Sequence, residues 1–75
     1  MTAKQLGEIL ADMYHNAPEK EQVTMIHLFG IKYASQIDAA GFTASEIIEA
    51  SGINKSYETE LSKGKKLAKY VKTII

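Results

Sequence analysis

An all-α fold of four to five short helices is what this sequence predicts, on three observations. Apolar residues recur at helical spacing through most of the 75 residues. No segment alternates apolar and polar residues long enough to make a strand. The phrase Ile-x-x-x-Gly-apolar occurs three times, as IHLFGI (26–31), IDAAGF (37–42) and IEASGI (48–53). In a Schellman helix stop, glycine takes the left-handed position just past the helix, and the apolar residue after it packs back on one five positions earlier. That spacing pairs Ile26 with Ile31, Ile37 with Phe42 and Ile48 with Ile53. The phrase therefore predicts three consecutive helix endings, at Gly30, Gly41 and Gly52, with a helix bending through Gly30 as the alternative at the first.

Each element follows in order. Thr2 and Gln5 have capping-box spacing, and Leu6, Ile9, Leu10, Met13 and Tyr14 then line one face, which predicts a helix over 3–15. Gly7 inside it marks a possible close helix contact. Asn16, Ala17 and Pro18 form a turn, with Pro18 suited to the first position of the next helix. Glu19 and Glu21 suit the positive end of that helix, predicted over 19–29 with Val23, Ile26, Phe29 and Gly30 inward. A short helix over 32–40 turns Tyr33, Ala34 and Ile37 to the core. Thr43 and Glu46 make a second capping box and open a helix over 44–51, with Ile47 and Ile48 buried. Asn54 caps a last helix over 55–73. The connections are too short for a linker, so residues 1–75 read as one domain. A domain this small has little core, so hydrophobic packing carries nearly all its stability, with or without a partner chain.

Composition narrows the chemistry. The chain has no cysteine, which excludes disulfides, thiolate metal sites and a cysteine nucleophile and suits a cytoplasmic setting. No apolar run approaches the length of about 20 residues that spans a bilayer, and the first ten residues lack the pattern of a signal peptide. His15 and His27 are too few for a zinc site without cysteine. No nucleophile elbow, glycine-rich phosphate loop or carboxylate pair in an evident cleft is present. The expectation is a protein that is not an enzyme, with no cofactor and no small-molecule substrate.

Net charge is zero but unevenly spread. Residues 1–53 hold three Lys against seven Asp or Glu, and residues 54–75 hold six Lys against two Glu. On a helical wheel begun at Lys55, the apolar residues Tyr57, Leu61, Gly64, Leu67, Ala68, Val71, Ile74 and Ile75 fall between about 100° and 240°. Lys55, Lys63, Lys65, Lys66, Lys69 and Lys72 cover the remainder, with Tyr70 among them. Such a stripe is either a solvated face whose charges complement the helix dipole, or a phosphate-binding surface.

Helices over 44–51 and 55–73 joined by a short Gly-containing turn have helix-turn-helix spacing, placing the motif at 44–70. The segment TASEIIEASGINKSYETELSKG (43–64) resembles the helix-turn-helix of bacterial repressor-type DNA-binding domains at Thr43, Glu46, Ile47, Gly52, Ile53, Ser56 and Gly64. With IHLFGIKYA and YETELSKGKKLAKYV included, the whole chain is similar to small bacterial helix-turn-helix-like proteins. The repressor pattern has Ala at Ile48, a large apolar residue at Ser51 and an apolar residue at Glu58; Tyr57 and Leu61 are replacements for the missing anchors if the helix rotates slightly.

The helix-turn-helix spacing and the lysine stripe together predict DNA binding by Asn54, Lys55, Ser56, Thr59, Lys63, Lys65, Lys66 and Lys69, and the resemblance implies transcription regulation, with a possible homodimer. Asn54, Ser56 and Thr59 are equally suited to capping and surface roles, Asn54 most of all to capping. Arginine, the commonest reader of guanine, is absent, and Glu58 and Glu60 would repel phosphate. The alternative is a protein-interaction module, in which the acidic front (Glu8, Asp12, Glu19, Glu21) and basic rear pair between chains or with another protein.

Overall fold

The computed structural model describes all 75 residues and contains four α-helices and no strand. These are α1 (Ala3–His15), α2 (Gln22–Ala40), α3 (Ala44–Ser51) and α4 (Glu58–Leu67), with one 3-10 turn at Lys55–Tyr57 between α3 and α4. The first and third begin as their capping boxes dictate. The Gln5 amide donates to Thr2 Oγ1 at 3.1 Å while the Thr2 amide donates to Gln5 Oε1 at 2.8 Å. Thr43 and Glu46 repeat the exchange at 3.1 and 2.9 Å. Each box satisfies two amides that have no partner within the helix.

Two of the three glycine stops form. Gly41 has φ +75° and Gly52 has φ +76°, a conformation that costs a side chain about 1–2 kcal/mol. At the first, the Phe42 amide donates to the Ile37 carbonyl at 3.1 Å and the Gly41 amide to Asp38 at 3.1 Å, the Schellman pair of bonds. At the second, the Ile53 amide instead donates to Ser51 Oγ at 3.2 Å, and the Ser51 hydroxyl donates onward to the Ile48 carbonyl at 2.6 Å. A serine hydroxyl thus stands inside the bond that the backbone alone makes at Gly41. Ser51, where the repressor pattern has a large apolar residue, has this work instead.

The third stop does not form. The expected helices over 19–29 and 32–40 are one helix, and α2 runs through Gly30 without a break. Gly30 serves proximity, not reversal. A Cβ there would lie 2.9 Å from the Gly64 backbone, and a Cβ on Gly64 would lie 2.6 Å from the His27 carbonyl oxygen. The two glycines let α2 and α4 meet backbone to backbone, which offsets the cost of about 1 kcal/mol that glycine carries in a helix interior. The close contact expected of Gly7 also exists, against Ala50 of α3.

Two helix ends also differ from expectation. The second helix starts at Gln22, not 19, because Pro18 belongs to a turn closed by the Glu21 amide donating to the Pro18 carbonyl at 2.9 Å, with Lys20 left-handed at φ +67°. The last helix is not continuous over 55–73. It opens as a 3-10 turn, ends at Leu67, and gives way to further turns through Tyr70. Past Gly64 no residue on this segment is buried, so further helical order has no packing to support it. Val71, Thr73, Ile74 and Ile75 are β-branched and favour helix weakly. Leu67, Val71, Ile74 and Ile75 therefore lie exposed instead of inward.

The core joins all four helices: Leu6 and Leu10 of α1, Ile26, Phe29 and Ile37 of α2, Ile47 and Ile48 of α3, Ile53 of the turn and Leu61 of α4. Val23, expected inward, is exposed; Ile9, Met13, Tyr14 and Tyr33 pack at the margin. Helix α1 lies chiefly on α3, and α2 chiefly on α4, so each helix of the turn-linked pair is backed by one from the first half of the chain.

The two kinds of glycine separate by mutation. Gly64→Ala should destabilise by about 1–3 kcal/mol, because the obstructing atoms are backbone, lowering Tm by about 4–8 °C per kcal/mol. Gly41→Asn should cost much less, since nothing lies within 4 Å of a Cβ there and Asn enters the left-handed region readily. Thermal unfolding followed by circular dichroism measures both; equal losses would show that the α2–α4 contact is looser than described.

Candidate nucleic-acid interface

The turn after α3 sets the start of the lysine-bearing segment. Ile53 is buried and Tyr57 half-buried against the core, so the chain is anchored on both sides of Asn54, Lys55 and Ser56, which are exposed. Tyr57 is held further by Tyr14 at the end of α1, whose hydroxyl donates to the Tyr57 hydroxyl at 3.3 Å with ring centroids 5.4 Å apart. That hydrogen bond is the main cause of a raised Tyr14 pKa, with burial adding to it. Asn54 Oδ1 accepts the Ser56 amide at 2.8 Å, so its side chain is a cap, as its position suggested. Leu61 is fully buried, so Leu61 and Tyr57 do serve as the anchors of the second helix. Glu58 lies instead at a cleft of about 210 Å³ between α3 and α4, with Ser45, Ile48, Glu49, Ile53 and Lys55.

Along α4, Thr59, Lys63 and Lys66 recur at i, i+4 and i+7 and are exposed on one stripe, and Tyr70 follows just past the helix. Lys69 is exposed in the turn after it. Lys55, Lys66 and Lys69 have no carboxylate within ion-pair distance, whereas Lys63 reaches Glu60 Oε2 at 3.4 Å. Lys65 is placed differently. It points toward α2, pairs with Asp38 at 2.7 Å, and its side chain is only 21% exposed. Of the eight residues singled out from sequence, Lys65 is thus the one drawn into the fold.

Glu60, which by sequence would repel phosphate, is engaged. It accepts from His27 Nε2 at 2.8 Å; a carboxylate only accepts, so that ring nitrogen carries the proton. This bond lowers the Glu60 pKa, partial burial opposes the shift, and Lys63 reinforces it. Beside this group an open cleft of about 350 Å³ is lined by His27, Lys63, Lys66, Leu67 and Tyr70. Sequence reasoning missed both the His27–Glu60 bond and this cleft, since each joins α2 to α4 across more than thirty residues. The one available signal was the glycine pair that brings those helices together.

No three His, Asp or Glu side chains are grouped to hold a metal ion. No helix is long and apolar enough to cross a membrane.

The family model described as HTH-like domain matches residues 2–74. No curated protein and no solved structure shows a match.

The Glu60 bond gives a measurable pH dependence. A folded-state pKa below the unfolded value means that its stabilising effect is complete above about 4.3, the unfolded carboxyl range, and fades as pH falls through the lowered folded-state value. A carbon-detected NMR titration should place the Glu60 midpoint below the ordinary glutamate value. His27→Ala should return it toward the ordinary range; an unmoved midpoint would show that His27 is not the cause.

Proposed function

The chain belongs to the HTH-like domain family, and from that premise we propose that it is a small DNA-binding protein of the transcription-regulator kind. Residues 54–70 meet the phosphate backbone. One observation carries the reading: Lys55, Lys66 and Lys69 stand exposed and unpaired along the helix and turns that follow α3. A lysine without a carboxylate partner has no internal bond to give up when it meets a phosphate, and each phosphate neutralised releases condensed counterions. Lys63 joins them at modest cost, because its contact with Glu60 is long and exposed. Lys65 contributes charge from a distance while it holds Asp38.

The role of each group follows its chemistry. Lysines supply sequence-blind attraction. Ser56 and Thr59, exposed near the start of α4, are the polar groups available to base edges. Asn54 keeps its oxygen on the Ser56 amide and contributes its amide nitrogen. With no arginine in the chain, affinity comes from phosphate binding more than from base readout. The function needs no catalytic group.

A second reading, self-association, is favoured by Val71, Ile74 and Ile75, which lie exposed together beyond α4, while Glu8 and Asp12 border an open cleft on α1 with Met1, Gln5 and Ile9. A homodimer pairing basic, apolar segment with acidic face would cover both. Light scattering across a concentration series tests it: the mass should rise toward that of a dimer, and Ile74→Ser with Ile75→Ser should hold it at that of one chain.

For DNA, titration of a fluorescent random-sequence duplex should give binding that weakens steeply between about 50 and 200 mM salt. Lys66→Ala and Lys69→Ala should each reduce the slope of log affinity against log salt by about 0.9 for each phosphate left without its ammonium group. An absence of binding at about 50 mM salt, where counterion release favours it, would overturn the reading.

A further inference from the structure

We propose that the cleft beside α4 receives an unstacked base of single-stranded DNA, stacked on Tyr70, with neighbouring phosphates on Lys63, Lys66 and Lys69. This rests on the reading of the lysines as phosphate ligands and goes beyond it, because a phosphate surface has no use for an apolar floor. Tyr70 is 82% exposed, and no other aromatic ring stacks on it. Leu67 is 41% exposed beside it. Between them, with His27, Lys63 and Lys66, lies an open cleft of about 350 Å³ whose exposed surface is almost wholly apolar.

The chemistry of the cleft matches one ligand class. An apolar floor with an aromatic wall takes a flat, neutral ring; ammonium groups on its rim take the anionic linkage on either side of that ring. Single-stranded DNA presents these together at each nucleotide, and sequence-tolerant binders combine a cationic track with stacking rings in this way. A duplex keeps its base faces stacked inside, so it would reach the lysines and leave Tyr70 and Leu67 in water. The nearby carboxylate of Glu60 stays on His27 at 2.8 Å when Lys63 exchanges its long 3.4 Å contact for a phosphate. The base itself carries no charge for it to repel.

The test compares a labelled single strand of about 16 nucleotides, the site size reached by single-strand binders, with the duplex of the same sequence, by fluorescence anisotropy at low salt. Tyr70→Ala should weaken single-strand binding by about tenfold or more, the effect of losing one stacked base, and change duplex binding by less than about twofold. Tyr70→Phe keeps the ring and should bind the single strand as the parent chain does. An abasic strand of equal length and charge should bind the parent chain as weakly as the ordinary strand binds Tyr70→Ala. If Tyr70→Ala leaves single-strand binding unchanged, or weakens both forms equally, the stacking proposal fails while the phosphate reading stands. If neither form binds, the phosphate reading fails and this proposal with it.

Discussion

The contact of α2 with α4 through Gly30 and Gly64 is the constraint on which the remainder of this structure depends. With no side chain between them, the two backbones touch, and the partners on either side are brought within reach. His27 meets Glu60 at 2.8 Å, and Asp38 meets Lys65 at 2.7 Å. The two polar contacts lie on either side of the glycine pair on both helices, so a shift of one helix would disturb both. Only one side of α4 is committed to the core, through Leu61 and Gly64. The opposite side, with Thr59, Lys63 and Lys66, is left to solvent.

A small core makes such economy necessary. Nine buried side chains connect four helices, and capping carries much of the local definition. Thr2 and Thr43 start helices, Gly41 and Gly52 stop them, and Asn54 turns the chain into α4. These are local signals, complete within five or six residues, and for that reason they were legible in the sequence. The start of α1 and both ends of α3 follow from them directly.

The misread elements share a different cause. Gly30 carries the same local phrase as Gly41 and Gly52, yet its role is set by Gly64, thirty-four positions away. Pattern alone does not distinguish a glycine that reverses the chain from one that admits a neighbour. The amphipathic wheel of 55–73 likewise described a face without the length of partner surface available to it, so Leu67, Val71, Ile74 and Ile75 were expected inward and lie outside. Along the lysine stripe, exposure of Lys55, Lys63, Lys66 and Lys69 agreed with the periodicity, whereas the turn of Lys65 toward Asp38 needed the helix crossing to be known.

The charge asymmetry along the sequence is only partly cancelled by folding. One acid from the front half, Asp38, meets a lysine from the rear, and the other close lysine pairing lies within α4 itself. Most of the opposite charges remain apart on the surface, free to act on molecules outside the chain.

The end of α3 is closed by backbone and side chain together, the Gly52 amide donating to the Ile48 and Glu49 carbonyls beside the Ser51 hydroxyl. Because the Ser51 oxygen accepts the Ile53 amide while its hydroxyl donates to the Ile48 carbonyl, a side chain completes the exit from α3 that left-handed Gly52 begins. At Gly41 the same exit is written in peptide groups alone. The connection ahead of Asn54 therefore leans on a side-chain hydroxyl for a bond that the connection at Gly41 draws from the main chain.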